Sequence, residues 1–215
     1  RRGALHWAGA VAASCAAITW VLVGAAGAPG NFPQNPDMVY HLGLTRWFVE
    51  NGTVSSLQTR LGDLGVAAFY PAALHGVAAT LCLLAGVPAI IGLTAVQFVV
   101  VGLVWPVGLL ALVRAVASWT PRTLWLAAPV AAAFPIFPYR LVGYGPLWPL
   151  DASYAALPAW LALVVWATGP GLPIRRRLVA WGAAGASAVG LLLLHLAALF
   201  TAAAPVWFLL LARVF

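Results

Sequence analysis

Three stretches of this chain, at about 5–26, 88–113 and 178–200, each run for more than twenty residues without an Asp, Glu, Lys or Arg. An α-helix rises 1.5 Å per residue, so about 20 apolar residues cross a hydrocarbon layer about 30 Å thick. Shorter apolar runs occupy 69–86, 123–137 and 152–168, and another begins at 202. With 64% hydrophobic and 7% charged residues, the chain lacks the polar surface of a soluble domain, where about 25% of residues are charged. Outer-membrane strands would alternate apolar and polar residues, and these runs do not. The expected class is all-α: a polytopic transmembrane helix bundle forming a single domain over 1–215. Its start at Arg1 and its end within an apolar run read as the N-terminal part of a longer protein.

Eleven basic residues, all arginine, face four acids, for a net charge of +7. The arginines lie singly or in short groups between apolar runs, which fits the positive-inside rule and not nucleic-acid binding. Residues 1–28 have the layout of a signal peptide, but an apolar centre of about 20 residues favours a retained first helix. Cys15 and Cys82 both fall in apolar runs and read as packing residues. Arg1 and Arg2, the pair Arg114 and Arg122, and the cluster 175–177 should all be cytoplasmic. If 69–86 crossed the bilayer, the last two groups would be outside. With its Tyr70, Pro71 and His75, that segment is therefore expected to be interfacial or re-entrant. Both groups then fall inside. The polar stretch 28–68 becomes the first extracytoplasmic loop, and 139–151 becomes a second outer loop.

The parity argument gathers the acids Asp37, Glu50, Asp63 and Asp151 on the outer side, where a carboxylate near lipid needs a partner or a function. Asn35 reads as an N-cap, Pro36 as the first helical residue and Gly52 as the stop of an interfacial helix at about 36–51. Asp37 and His41, four apart, share a face, and Arg46 and Glu50 should pair. Asp37 also suits a first helical turn without any chemistry. His75 and His195 are candidate site residues, although a lone apolar-helix histidine more often packs; His6 reads as an interfacial anchor. Arg140, against the positive-inside trend, should meet headgroups, an acid or a phosphate, and Arg140, or Arg46 if unpaired, is the candidate to stabilise a departing lipid phosphate. Tyr144, Trp148 and Tyr154 surround Asp151 as an aromatic belt or a ligand wall. A divalent cation is the one candidate cofactor, with Asp37, His41 and Asp151 as its ligands and His195 as a further donor. P-loop, dinucleotide, Cys-x-x-Cys, His-Glu-x-x-His and Gly-x-Ser-x-Gly signatures are absent.

Five short motifs, in order, carry a resemblance: Pro36-Asp37-Met38-Val39-Tyr40-His41, Phe69-Tyr70-Pro71-Ala72-Ala73-Leu74-His75, Val104-Trp105-Pro106-Val107-Gly108, Phe134-Pro135-Ile136-Phe137-Pro138-Tyr139-Arg140 and Gly145-Pro146-Leu147-Trp148-Pro149. The chain resembles a family of actinobacterial membrane proteins related to the GT-C superfamily of polytopic glycosyltransferases. The resemblance implies a multi-pass protein of the bacterial plasma membrane with an extracytoplasmic site. It implies an inverting transfer of sugar from a polyprenyl-phosphate donor to the hydroxyl of a glycan or glycolipid acceptor. It also implies that Asp37 is the catalytic base, that Asp151 is a second outer acid, and that juxtamembrane helices follow the first span. Many GT-C loops carry adjacent acids, whereas Met38 follows Asp37 here, which weakens a metal-dependent route. The alternative expectation is a transporter, lipid carrier or assembly subunit without catalysis.

Overall fold

The computed structural model describes residues 2–31, 33, 35–60, 67–117, 120–143 and 147–214. The fold is helical, as the long apolar runs require. Helix α1 (Arg2–Ala26) is followed by α2 (Pro36–Asn51), then by a two-residue antiparallel ladder of β1 (Thr59–Arg60) and β2 (Ala67–Ala68). Next come α3 (Ala73–Ala85), α4 (Ala89–Val99) and α5 (Trp105–Val116), the last two joined by a π-helical turn, Val100–Val104. Helix α6 (Pro121–Ala133) continues through a second π turn, Pro135–Arg140, into α7 (Leu141–Gly143). Helices α8 (Trp148–Ala167), α9 (Ile174–Leu194) and α10 (Ala197–Val214) follow.

Among the described residues, five stretches are long and apolar enough to cross a membrane: Gly3–Ala26, Ala89–Val116, Pro121–Gly143, Trp148–Ala167 and Ile174–Leu194. Helix α3 has 13 residues. At 1.5 Å each it reaches about 20 Å, short of the hydrocarbon thickness of about 30 Å.

The π turn before Trp105 has a local cause. Pro106 offers no N–H and its ring crowds the carbonyl four residues back, and widening the turn relieves that crowding without breaking the span. Pro135 and Pro138 do the same work less gently: Phe137 leaves helical geometry (φ −117°, ψ 131°) and the span bends there. Small residues let the helices approach. A Cβ added to Gly108 would lie 3.0 Å from the backbone N of Ala159, so α5 and α8 touch almost backbone to backbone. Helices α1 and α6 are tied by Ser14, whose hydroxyl donates to the Ala128 carbonyl at 2.9 Å. His6 accepts from the Trp125 indole at 3.3 Å near the arginine-bearing end of both helices. Cys15 and Cys82 are free thiols.

Two boundaries depart from expectation. The run 178–200 is not one helix, because His195 is extended (φ −168°, ψ 128°) and ends α9. Its ring Nδ1 then accepts the Ala197 N–H at 3.2 Å, satisfying one of the amides that a new helix start leaves unpaired. The stretch 139–151 is not an outer loop throughout. Helical structure continues to Gly143 and resumes at Trp148, with Pro149 in the first turn, so Asp151 lies inside α8.

Helices α3 and α4 turn back on each other through Gly86, whose φ of +67° suits glycine. They close on Gly92, where an added Cβ would meet Cys82 Sγ at 2.2 Å and the Ala78 carbonyl at 3.1 Å. Gly92→Ala should therefore lower stability by about 1–3 kcal/mol, the usual range for overpacking. Thermal unfolding in detergent measures this, and Cys82→Ala in the same chain should recover part of the loss. Equal melting of Gly92→Ala and the parent would contradict the close approach.

Candidate functional site

Asn35 starts α2 by accepting the Met38 N–H at 3.0 Å, Pro36 sits in its first turn, and Gly52 ends it with φ +60°. This cap aims the helix so that Met38, Leu44 and Phe48 are buried, while Asp37 stays exposed. Asp37 and His41, one turn apart, line one cleft of about 280 Å³ with Tyr40, Tyr70 and His195; Leu147, Pro149 and Leu150 at the start of α8 complete it. The site thus joins α2, the lead-in to α3, the α8 start and the α9–α10 corner.

His75 lies behind this wall. It is fully buried on α3, and its Nε2 is 3.0 Å from His41 Nδ1, so one hydrogen is shared between the two rings. Burial, reinforced by the adjoining His41, pulls His75 down to about 3. It is neutral across the physiological range. The ring of Tyr40 stands edge-on to Tyr70 at 5.2 Å and to His41 at 5.7 Å. Burial, with Tyr70 beside it, pushes the Tyr40 phenol up to about 12. The Tyr70 phenol is also raised, first by burial and then by the Asp37 carboxylate. Burial lowers His195. Because its Nδ1 accepts from Ala197, the neutral His195 ring carries its proton on Nε2. The cleft therefore combines one carboxylate with imidazole and phenol groups.

Asp151 does not join Asp37. It is fully buried, and the Gln97 side-chain amide of α4 donates to its Oδ2. Among the described residues, its Oδ1 and the Gln97 Oε1 have no hydrogen-bond partner, nor does the Thr94 hydroxyl one turn earlier on α4. The expected shared pocket of two carboxylates fails because the first turn of α8 points Leu147, Pro149 and Leu150 at the cleft and rotates Asp151 toward α4. For the same reason Asp37, His41 and Asp151 do not form a ligand set. Among the described residues no three His, Cys, Asp or Glu side chains converge as a metal site.

Other candidates also fall outside the cleft. Arg46 is exposed, its Nε donates to Glu50 at 2.6 Å, the expected pair, and it is not among the described residues that line the cleft. Arg140 is exposed at the end of the second π turn and does not line the cleft. Trp148 is buried; its indole donates to the Val142 carbonyl at 3.0 Å, and it lines a separate cavity of about 410 Å³ beside Thr94 and Tyr139. Tyr154 donates to or accepts from Thr201 at 3.2 Å, away from Asp151. Tyr144 and Asp63 lie outside the described residues. Gln97 was not expected at all. It is the sole side-chain amide in the run 88–113, and that isolation was the available signal.

With the geometry in place, the comparisons add one fact. The chain belongs to DUF6541. This is a family of unknown function, and the match covers residues 1–215. No curated protein and no solved structure matches the chain. The reading of this DUF6541 chain therefore rests on its own residues.

Two outcomes test the buried polar groups. Gln97→Leu strips Asp151 of its donor and should destabilise by about 1–3 kcal/mol, as expected when a buried polar group loses its partner. Gln97→Leu/Asp151→Leu should recover most of that in a denaturation series, because the two effects are coupled. For His75, the folded state lowers the imidazole from 6.5 to about 3. Between those values the unfolded chain binds more protons, so stability is full above about pH 6.5 and declines as pH falls. The decline should approach about 1.4 kcal/mol per pH unit. His75→Gln should flatten the profile in that window; an unchanged slope would remove His75 as its source.

Proposed function

We propose that this protein transfers a sugar from a polyprenyl-phosphate donor to an acceptor hydroxyl at the extracytoplasmic face of the membrane, with inversion at the anomeric carbon. The observation that carries the reading is Asp37: an exposed carboxylate on a capped helix, in a cleft whose other described lining residues are histidines, tyrosines and apolar side chains. A hydroxyl is a weak nucleophile until its proton leaves, and a positioned base is worth about 10²–10⁴-fold. Asp37 takes that proton while the acceptor oxygen bonds to the anomeric carbon. The bond from that carbon to the phosphate oxygen breaks on the opposite side, and the polyprenyl phosphate departs with the electron pair. His195 Nε2–H and the Tyr70 hydroxyl are the donors available to the departing phosphate. They replace the arginines that sequence alone suggested for this role.

Two further features support the reading. Leu193, two residues from His195, lines an apolar groove of about 690 Å³ between α3 and α9, with Gly76, Val77, Thr80, Leu81 and Leu84; it suits an isoprenoid tail. The reading also agrees with the arginine rule: if the five apolar stretches span and α3 lies along the membrane, Arg114, Arg122 and residues 175–177 share the cytoplasmic side and the cleft lies opposite. A lipid carrier or assembly subunit would bind the same donor without turning it over.

Purified protein supplied with radiolabelled polyprenyl-phosphate sugar and a glycan or glycolipid acceptor separates these. Asp37→Asn should reduce transfer at least about 100-fold with membrane insertion intact, while Glu50→Gln leaves it unchanged. Full activity of Asp37→Asn ends the base assignment, and donor binding without turnover by the parent protein favours the carrier.

A further inference from the structure

At the end of the bundle away from Asp37, a cavity of about 720 Å³ opens between the last turns of α5 and α8 and the first turns of α9. Helix α8 links the two places. Its first residues line the Asp37 cleft, and Val165 and Trp166 at its far end line this cavity, about 30 Å away for a helix of 20 residues. The exposed side chains of Arg114, from α5, and Arg176, from α9, line it, with no carboxylate among its described lining residues. The positive-inside tendency explains why arginines occupy this end. It does not explain why two of them, from helices far apart in sequence, line one concave site.

The site is also built rather than loose. Its floor is the short connector 169–173, in which Pro170 and Pro173 fix backbone torsions and Gly171 takes φ +73°. Arg177 fastens the connector by donating from Nη2 to the Gly169 carbonyl at 3.3 Å. Ala111, Ala115, Ala162, Val165 and Leu172 make the rest of the wall apolar. A ligand that fits carries an anionic group for two guanidinium forks and an apolar body beside it.

We infer that this cavity binds the phosphate of an anionic phospholipid, with Arg114 and Arg176 gripping the headgroup and the acyl chains running along α5 and α8. The placement favours a lipid over a free anion. The arginines end stretches long and apolar enough to cross a bilayer, which puts them at headgroup depth when those stretches span, with the apolar wall continuing toward the hydrocarbon. This site is independent of the sugar-transfer reading.

The test uses the whole purified protein in detergent, with dioleoyl phosphatidylglycerol, dioleoyl phosphatidylcholine and inorganic phosphate as separate probes, read by native mass spectrometry. The parent protein should retain one phosphatidylglycerol and release phosphatidylcholine. Arg114→Gln/Arg176→Gln should weaken phosphatidylglycerol retention roughly 30-fold. Arg122→Gln/Arg175→Gln removes the same charge from the same end, and should weaken it no more than about threefold, as expected of screened surface charge. Equal losses in the two variants would show diffuse attraction and overturn the site. Equal retention of phosphatidylcholine, or displacement of the lipid by millimolar inorganic phosphate, would overturn the phospholipid assignment. If the first variant does not fold, a photoreactive phosphatidylglycerol on the parent protein decides. Adducts within 111–115 or 162–176 support the site, and adducts confined elsewhere overturn it.

Discussion

A polar side chain enclosed by apolar helices has no water to fall back on, so it must find its partner on another helix, and that need fixes where the helices sit. Gln97 and Asp151 meet this constraint across α4 and α8. Sliding α8 by a single residue would turn Asp151 away from the amide. The same turn of α8 holds Trp148, whose indole reaches back to the Val142 carbonyl and fixes the corner between α7 and α8. Leu147, Pro149 and Leu150 of that corner are the apolar side of the Asp37 cleft. The buried amide–carboxyl bond thus acts on the cleft without entering it, by fixing the height at which its wall stands.

The described acids divide by what each has found. Glu50 is bound by Arg46 at the surface, and Asp151 by Gln97 in the core. Asp37 remains at the cleft mouth, close enough to Tyr70 to oppose ionisation of its phenol. Behind it neutral His75 backs His41: two imidazoles joined at 3.0 Å cannot both hold a proton on the facing nitrogens. Burial sets the charge of His75, and the shared hydrogen sets the orientation of His41.

Features governed by neighbouring residues were legible in the sequence. Asn35, Pro36 and Gly52 bounded α2, and the spacing of Arg46 and Glu50 gave their pair. The shortness of α3 followed from where its apolar run meets Pro71 and Gly86. Features set by rotation of one helix against another were not legible. Whether Asp151 faced Asp37 or α4 depended on the start of α8, and moving that start from residue 152 to Trp148 placed the acid within the helix. His195 hid inside an apolar run because nothing local forces its extended backbone; the bond from Ala197 forms only once the chain has turned. The contact of His41 with His75 needed α2 and α3 to be packed, which no spacing within either helix encodes.

The charge of the cleft restricts how a phosphate-bearing donor could lie in it. A phosphate brought within about 4 Å of an ionised Asp37 would meet a repulsion of about 4 kcal/mol at an effective dielectric constant of 20. Among the described residues no arginine lines the cleft to offset it. The favourable arrangement keeps the phosphate on the His195 side, where a ring N–H and the nearby groove beyond Leu193 receive headgroup and tail, and leaves the Asp37 side to the neutral acceptor. In the proposed sugar transfer, base and leaving group would then stand apart, as an inverting displacement requires, and that separation would follow from repulsion between like charges.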